Sequence, residues 1–215
     1  MIDLVKPSQT LIETLVAEHH LGPTPDGESV YDIPVGSIDG SVSRMLEKRK
    51  DNVTMMVNVT GGCGNSMQYP MLQVLEYDYA DYGFKIICIP TNDYCEYGYG
   101  DFKDNSTSTA QEAHDYAYYN YRVRMDFTEL LISRHNREDE DSKTPHRLYA
   151  RLGIDEGPIR GNFEKWIVSR DGKRRARFTN GSLLPANFES GNDNYAPQEA
   201  LRRIRGAIEY FLTED

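Results

Sequence analysis

The sequence contains few cysteines, relatively few basic residues and no long apolar run. Three cysteines in 215 residues cannot form the disulfide framework of a small secreted domain. No stretch of about 18 apolar residues is present, so no membrane-spanning helix is expected. The first residues lack the basic and apolar regions of a signal peptide. Together these absences predict a cytoplasmic chain with reduced thiols.

The charge balance and the histidine spacing exclude several further classes of protein. Acidic residues outnumber basic ones by 34 to 24, which gives a formal net charge of −10. Nucleic acids and anionic membranes would repel such a chain, so neither is expected as a partner. The histidines lack the spacing of a metal site, and no glycine-rich phosphate loop or Ser-His-Asp motif is present. We therefore expect no metal and no bound cofactor.

Residues 1–29 are expected to form an extension to a domain that spans residues 30–215. Ser8–His20 has the pattern of a short amphipathic helix with Ser8 as its N-cap, and the proline- and glycine-rich residues 22–27 end it. Two interpretations are open. The helix packs on the surface of the domain itself, or it is an arm through which a protein partner docks.

A βαβ unit is predicted near the middle of the chain. Asp51–Thr60 alternates apolar residues like a buried strand, and Phe84–Ile89 is a second apolar strand. Between them, Pro70 suits the start of a helix, and Gly83 suits its end. A strand, a helix and a strand in this order predict two parallel strands joined by a right-handed crossover.

The sequence pattern of the second half of the chain predicts three helices and a hairpin. The helices are expected at Ser106–Tyr119, Pro145–Gly153 and Pro197–Leu212. The hairpin is expected from Phe163–Ser169 and Arg174–Phe178, because an Asp-Gly pair lies in the turn between them. This order of elements predicts an α/β, thioredoxin-like fold with a central mixed sheet flanked by helices.

The second strand of the hairpin is unusually basic. It carries Lys173, Arg174, Arg175 and Arg177. In an acidic protein this pattern indicates one solvated face of an edge strand rather than a phosphate site. We therefore expect this strand at the margin of the sheet.

Cys63 follows the first predicted strand and precedes the first helix of the βαβ unit. Ligands bind at the carboxyl ends of strands in open α/β sheets, and a helix N-terminus favours a thiolate. The residues alone leave two interpretations, a reactive thiolate or a small buried side chain. Cys88, inside an apolar strand, is expected to be inert. Cys95, in the loop after that strand, is either a resolving thiol or incidental.

Four segments of the sequence resemble the glutathione peroxidases. They are YDIPVGSIDGS (31–41), NVTGGCGNSMQY (58–69), CIPTNDY (88–94) and GNFEKWIVSRDGKRRARF (161–178). The first resembles the opening hairpin of the family. The second resembles the segment that carries the peroxidatic cysteine or selenocysteine, so the resemblance places Cys63 in that role. The match runs through most of residues 30–212.

The resemblance leaves the active site of the family incomplete. That site is a tetrad of Cys or selenocysteine, Gln, Trp and Asn. Asn162 matches the Asn, whereas Gly161 stands at the Trp position and Tyr97 at the Gln position. Trp166 falls on a family Phe and is expected in the core. A Tyr97 hydroxyl retains the ability to donate a hydrogen bond. Residues 110–121 correspond to the helix that carries the resolving cysteine in many members, and they contain none.

The resemblance implies a peroxidase that reduces hydrogen peroxide or organic hydroperoxides through a Cys63 thiolate and a sulfenic acid. Cys63, Asn162 and Tyr97 are the expected catalytic residues, with Cys95 as a candidate resolving thiol. Glutathione or a thioredoxin-like protein would be the thiol reductant. The altered tetrad keeps a second interpretation open, a non-catalytic binding or structural protein on a degenerate peroxidase scaffold. The C-x-x-S spacing from Cys63 keeps a third, monothiol–disulfide exchange.

Overall fold

One mixed sheet forms the centre of the protein, seen in a computed structural model that describes residues 2–93, 109–133, 144–154, 157, 159–183 and 197–214. Its strands are β1 (Gly22–Pro23), β2 (Val53–Val59), β3 (Phe84–Pro90), β4 (Asp126–Phe127), β5 (Lys165–Val168) and β6 (Arg174–Phe178). Their order across the sheet is β1-β6-β5-β2-β3-β4. The β2–β3 and β3–β4 pairs are parallel, and the β2–β5, β5–β6 and β1–β6 pairs are antiparallel.

Helices flank this sheet. In the described segments they are α1 (Gln9–His19), α2 (Tyr69–Tyr79), α3 (Ala110–Tyr121), α4 (Arg147–Arg151) and α5 (Pro197–Leu212). Ser8 caps α1 as predicted, because its hydroxyl accepts the backbone N–H of Leu11. α4 is shorter than the predicted Pro145–Gly153. α3 continues beyond Tyr119, and residues 106–108 lie outside the described residues. None of the helices in these segments has the length and apolar character needed to cross a bilayer.

The predicted βαβ unit is confirmed. β2 and β3 pair in parallel from Val53 opposite Phe84 onwards, with α2 between them in the chain. Every residue of β2 is buried, because both faces of the sheet are covered. Val53 packs in one core cluster, and Met56 packs in the cluster on the other side. Gly83 ends the helical segment in the left-handed conformation.

The predicted hairpin is confirmed as well. β5 and β6 are joined by a turn in which Gly172 has a φ of 75°. A Cβ atom there would lie 2.2 Å from the Ser29 hydroxyl and 2.7 Å from the Tyr31 ring, so the position admits only glycine. Trp166 on β5 is fully buried and packs edge-on against Tyr149, as expected for a core residue.

The expectation that β6 is a solvated edge strand is wrong. β6 lies between β5 and β1, and Arg175 is only 2% exposed. The Arg175 guanidinium donates to the carbonyl groups of His20 (2.7 Å) and Leu152 (3.2 Å). Arg177 pairs with the buried carboxylate of Glu164 at 2.7 Å. The sequence pattern gave the wrong prediction because β1, the strand that pairs with the outer side of β6, comes from a distant part of the chain.

Residues 1–29 contribute to the sheet and to the core. β1 pairs with β6, and α1 packs on α5 with Leu11, Leu15 and His19 buried. At Gly206 of α5 a Cβ atom would lie only 2.6 Å from the Leu11 side chain, so the two helices approach closely. The division at residue 29 and a partner bound by this segment remain predictions.

The opening hairpin expected at residues 31–41 is a turn rather than a pair of strands. A short 3₁₀ helix occupies Val30–Asp32. The backbone N–H of Ser37 donates to the Val42 carbonyl at 2.7 Å, which closes the turn. Ser37 also forms an isolated antiparallel bridge with Thr128. The segment therefore packs beside β4 without extending the sheet.

Candidate functional site

Cys63 lies at the carboxyl end of β2, where the chain turns into a helical segment. β2 ends at Val59, and Gly62 takes the left-handed conformation with a φ of 67°. Cys63 is the N-cap of a 3₁₀ helix, Gly64–Gln68, which runs directly into α2. The Ser66 N–H donates to the Cys63 carbonyl at 2.9 Å and closes the first turn. Cys63 is partly exposed and lies at the N-terminal end of this helical segment, where the helix dipole favours a negative charge.

Asn162 lies beside the turn that follows Cys63. Its backbone carbonyl accepts a hydrogen bond of 3.1 Å from the side-chain amide of Asn65, two residues after Cys63. The Asn162 side chain is 7% exposed. Its Oδ1 atom is buried and has no hydrogen-bond partner in the part of the chain that the structure describes. The fold therefore brings together two of the sequence-predicted site residues, which are far apart in the chain.

Asn58 holds these two segments together. It is fully buried near the end of β2. Its amide donates to the carbonyl of Gly161 (3.1 Å) and accepts the N–H of Glu164 (2.8 Å). The Asn58 carbonyl also accepts the N–H of Phe163 at 2.6 Å. The sequence analysis missed this role, although Asn58 opens the segment that resembles the peroxidases and an amide at the end of an apolar strand is a detectable signal.

The side chain of Asn180 occupies the space beside Gly161, the position of the Trp in the family tetrad. A Cβ atom at Gly161 would lie 2.7 Å from Asn180 Nδ2, so a larger side chain cannot enter unless Asn180 moves. The Asn180 carbonyl accepts a 2.6 Å hydrogen bond from Gln68 in the 3₁₀ helix after Cys63. Gln68 Oε1 in turn accepts the N–H of Leu183. The loop after β6 is thereby attached to the Cys63 segment.

Two tyrosines, Tyr69 and Tyr121, lie in the same core cluster as Cys63. Tyr69 is fully buried, and its ring lies 5.5 Å from Tyr121 and 5.0 Å from Phe163. Burial, together with the charges of Cys88 and Cys63, holds the pKa of Tyr69 well above its usual value. Burial, assisted by Tyr116 and Cys63, raises the pKa of Tyr121 to about 12. Both phenol groups therefore stay protonated at neutral pH, and the sequence analysis had not connected them with Cys63.

The remaining sequence-predicted site residues fall into two groups. Cys88 is fully buried on β3, and burial raises the pKa of its thiol, so it is confirmed as a core residue. Tyr97 and Cys95 lie outside the described residues, and their roles remain predictions. Within the described ranges, no three His, Cys, Asp or Glu side chains come together as a metal site requires. That no cofactor is needed also remains a prediction.

The sequence of this chain is similar to those of known proteins. The model of the glutathione peroxidase family matches residues 30–142, more than half of the chain. The glutathione peroxidase homolog BsaA of Staphylococcus epidermidis is 30% identical over 155 residues, which cover 70% of this chain and 88% of that protein. The thioredoxin/glutathione peroxidase BtuE of Escherichia coli is 29% identical over 171 residues, which cover 71% of this chain and 88% of that protein.

The fold is shared with solved structures as well. The crystal structure of T. cruzi GPX1 superimposes with a TM-score of 0.51 at 17% identity, covering 72% of this chain and 88% of that chain. The predicted thioredoxin-like fold is thereby confirmed. The residues matched by the family model, 30–142, include the strand, turn and helix that carry Cys63. The chain therefore belongs to the glutathione peroxidase family.

Proposed function

We propose that this protein is a thiol-dependent peroxidase that reduces hydrogen peroxide or organic hydroperoxides with Cys63. The observation that carries the proposal is the position of a partly exposed thiol at a helix start, with Asn162 fixed beside the same turn. In the reaction, the thiolate attacks the terminal oxygen of the peroxide, so that an S–O bond forms and the O–O bond breaks. The sulfur becomes a sulfenic acid, and the leaving oxygen takes a proton to become water or an alcohol.

The chain offers hydrogen-bond donors for the charges that this step moves. We propose that backbone N–H groups at the start of the 3₁₀ helix, which Cys63 caps, and the N–H donors of the Asn162 amide serve this purpose. Such donors stabilise the thiolate and the developing charge on the leaving oxygen. Tyr97, at the Gln position of the tetrad, is proposed as a further donor.

Two thiols return the sulfenic acid to the thiolate. The first condenses with the sulfenic acid to give a mixed disulfide and water, and the second reduces that disulfide by exchange. Helix α3 contains no cysteine, so we propose external thiols, from glutathione or a thioredoxin-like protein, with Cys95 as a candidate internal resolving thiol. The name of the Escherichia coli relative includes both donors. A cytoplasmic setting, where thiols are kept reduced, suits this cycle.

Replacement of Cys63 tests the proposal. Cys63→Ser is expected to abolish peroxide reduction, because a hydroxyl cannot form the sulfenic acid. Cys88→Ala is the matched control and should retain most of the activity, because Cys88 is buried in β3. Consumption of hydrogen peroxide would be followed with glutathione and, separately, with thioredoxin as reductant. Equal activity in the wild-type protein and in Cys63→Ser would contradict the proposal.

A non-catalytic binding or structural role is the second candidate. The observation in its favour is the replacement of the tetrad Trp by Gly161, whose side-chain space Asn180 fills. This candidate predicts that Cys63 in the wild-type protein reacts with hydrogen peroxide no faster than free cysteine at neutral pH. A rate well above that of free cysteine excludes it.

A further inference from the structure

The residue that follows Asn162 has an unusual backbone. Phe163 has a φ of 72°, in the left-handed region that a bulky side chain rarely adopts. Such a conformation persists only where the surrounding structure enforces it, and it is most common at functional sites. Two short hydrogen bonds enforce it here. The Phe163 N–H donates to the Asn58 carbonyl, and the Phe163 carbonyl accepts from Lys165 Nζ, each at 2.6 Å.

Lys165 is buried without exposure to solvent. Its ammonium group also lies 3.4 Å from the carbonyl oxygen of Thr179 and 3.5 Å from that of Asn180. It therefore joins the Phe163 segment to the loop that Gln68 ties to the Cys63 turn. The Lys165 nitrogen thus contacts three carbonyl groups from two segments of the chain, which an apolar side chain of similar size could not do.

We propose that Lys165 is a positioning residue that sets the orientation of Asn162 relative to the Cys63 turn. The Lys165–Phe163 hydrogen bond holds the carbonyl side of the strained residue, while Asn58 holds its N–H side. Without the ammonium group, Phe163 can relax toward an unstrained φ, and this rotation displaces the neighbouring Asn162. The contact between the Asn162 carbonyl and Asn65 would then loosen. This inference rests on the proposed function.

A double-mutant cycle tests whether Lys165 acts through Asn162. The variants are Lys165→Met, Asn162→Ala and the pair. For each, the second-order rate constant of Cys63 with hydrogen peroxide would be measured. The pH midpoint of Cys63 alkylation by iodoacetamide would be read by mass spectrometry of the Cys63 peptide. Misplacement of a catalytic group costs up to about a hundredfold in rate, so we expect each single variant to lose about ten- to a hundredfold.

The double variant decides between direct and indirect action. If Lys165 acts through Asn162, the double variant reacts no more slowly than Asn162→Ala alone, because both substitutions act by removing the contribution of the Asn162 side chain. The alkylation midpoint should rise by the same amount in all three variants, because the thiolate loses the same donor. The titratable groups linked to Cys63, Tyr69 and Tyr121, are unchanged throughout. Lys173→Met, in the exposed turn of the same hairpin, is the control for loss of one positive charge and should match the wild type.

Two results would overturn the inference. A further loss of rate when Lys165→Met is added to Asn162→Ala would show that the lysine acts on Cys63 directly. Lower thermal stability with an unchanged rate and midpoint would show a purely structural role. If Lys165→Met does not fold, Lys165→Leu, which also lacks a donor at this position, enters the same cycle with the same criteria. The alkylation midpoint needs no peroxide, so it tests the inference even if wild-type Cys63 proves unreactive toward peroxide and the proposed function fails.

Discussion

Two tyrosines of α2 are equally buried but differ in what their hydroxyl groups contact. The Tyr79 hydroxyl donates to Glu209 at 2.6 Å and accepts from Arg205 at 3.3 Å. The Tyr69 hydroxyl is buried and has no hydrogen-bond partner among the described residues. A buried polar group without a partner lowers stability, whereas a buried hydrogen bond raises it modestly. The two hydroxyls should therefore contribute to stability with opposite signs.

Tyr69→Phe is expected to raise the free energy of unfolding by about 1 kcal/mol, and Tyr79→Phe to lower it by about the same amount. Both substitutions keep the ring and its packing, so the difference reports the hydroxyl alone. Urea unfolding at neutral pH, with each variant compared with the wild type, is the measurement. A loss of stability in Tyr69→Phe would show that this hydroxyl is hydrogen-bonded in solution.

At the scale of elements, the attachment of α1 depends on a neutral histidine. The His19 ring stacks on Phe178 with 4.3 Å between centroids. Its Nδ1 lies 3.2 Å from the Arg177 carbonyl, and its Nε2 lies 3.4 Å from the Arg203 guanidinium. These partners suit a neutral ring that donates through Nδ1 and accepts through Nε2. Burial, and to a lesser degree the charge of Arg203, lower the pKa of His19 to about 4.

Stability is therefore expected to fall as the pH drops from about 6.5 toward 4. In this window His19 is protonated in the unfolded chain but remains neutral in the folded one, so the unfolded state binds more protons. The full effect amounts to roughly 3 kcal/mol, because the pKa difference is between 6.5 and about 4. At pH values above about 6.5 the contribution of His19 is constant.

Urea unfolding of His19→Gln between pH 7.5 and pH 4 checks this pH dependence. The variant should lose less stability than the wild type over that range, because glutamine does not titrate. His20→Asn is the matched control: His20 is exposed, and asparagine tolerates its left-handed conformation. The control should retain the wild-type pH dependence. Identical curves for the wild type and His19→Gln would show that His19 does not link folding to pH.

At the scale of the whole molecule, residues 1–29 complete the sheet and one face of the core. β1 covers the outer side of β6, and Leu11 and Leu15 are buried in the core cluster that contains α5. Deletion of this segment would expose apolar surface on α5 and leave β6 as an open edge. The two leucines alone account for several kcal/mol of burial, so we expect the melting temperature to fall by about 10 °C.

Thermal unfolding of a chain that begins at residue 30 is the measurement for this deletion. The expected fall in melting temperature should be accompanied by binding of a dye that detects exposed apolar surface. An unchanged melting temperature would mean that the segment contributes little to the domain. That result would favour the other interpretation, an arm that docks a protein partner.

The local elements of the fold, and the position of Cys63 between a strand and a helix, could be predicted from the sequence. The alternation in β2, the glycine after α2 and the Asp-Gly turn each involve only a few neighbouring residues. Their effect on the backbone follows from local sterics, so each element could be predicted without knowledge of the tertiary structure. Cys63 could be placed because the end of a strand and the start of a helix are both local features. Asn162 could be placed only by its resemblance to a family segment.

Tertiary structure alone decided how the surroundings of Cys63 are held. Asn58 contacts Gly161, Gln68 contacts Asn180, and Lys165 holds a strained Phe163. The first two contacts join residues more than one hundred positions apart, so no local pattern encodes them. The burial of Arg175 has the same origin, because β1 reaches β6 from the other end of the chain. Periodicity determines which face of an element is apolar, but the packing of distant segments determines which polar groups become buried and bonded.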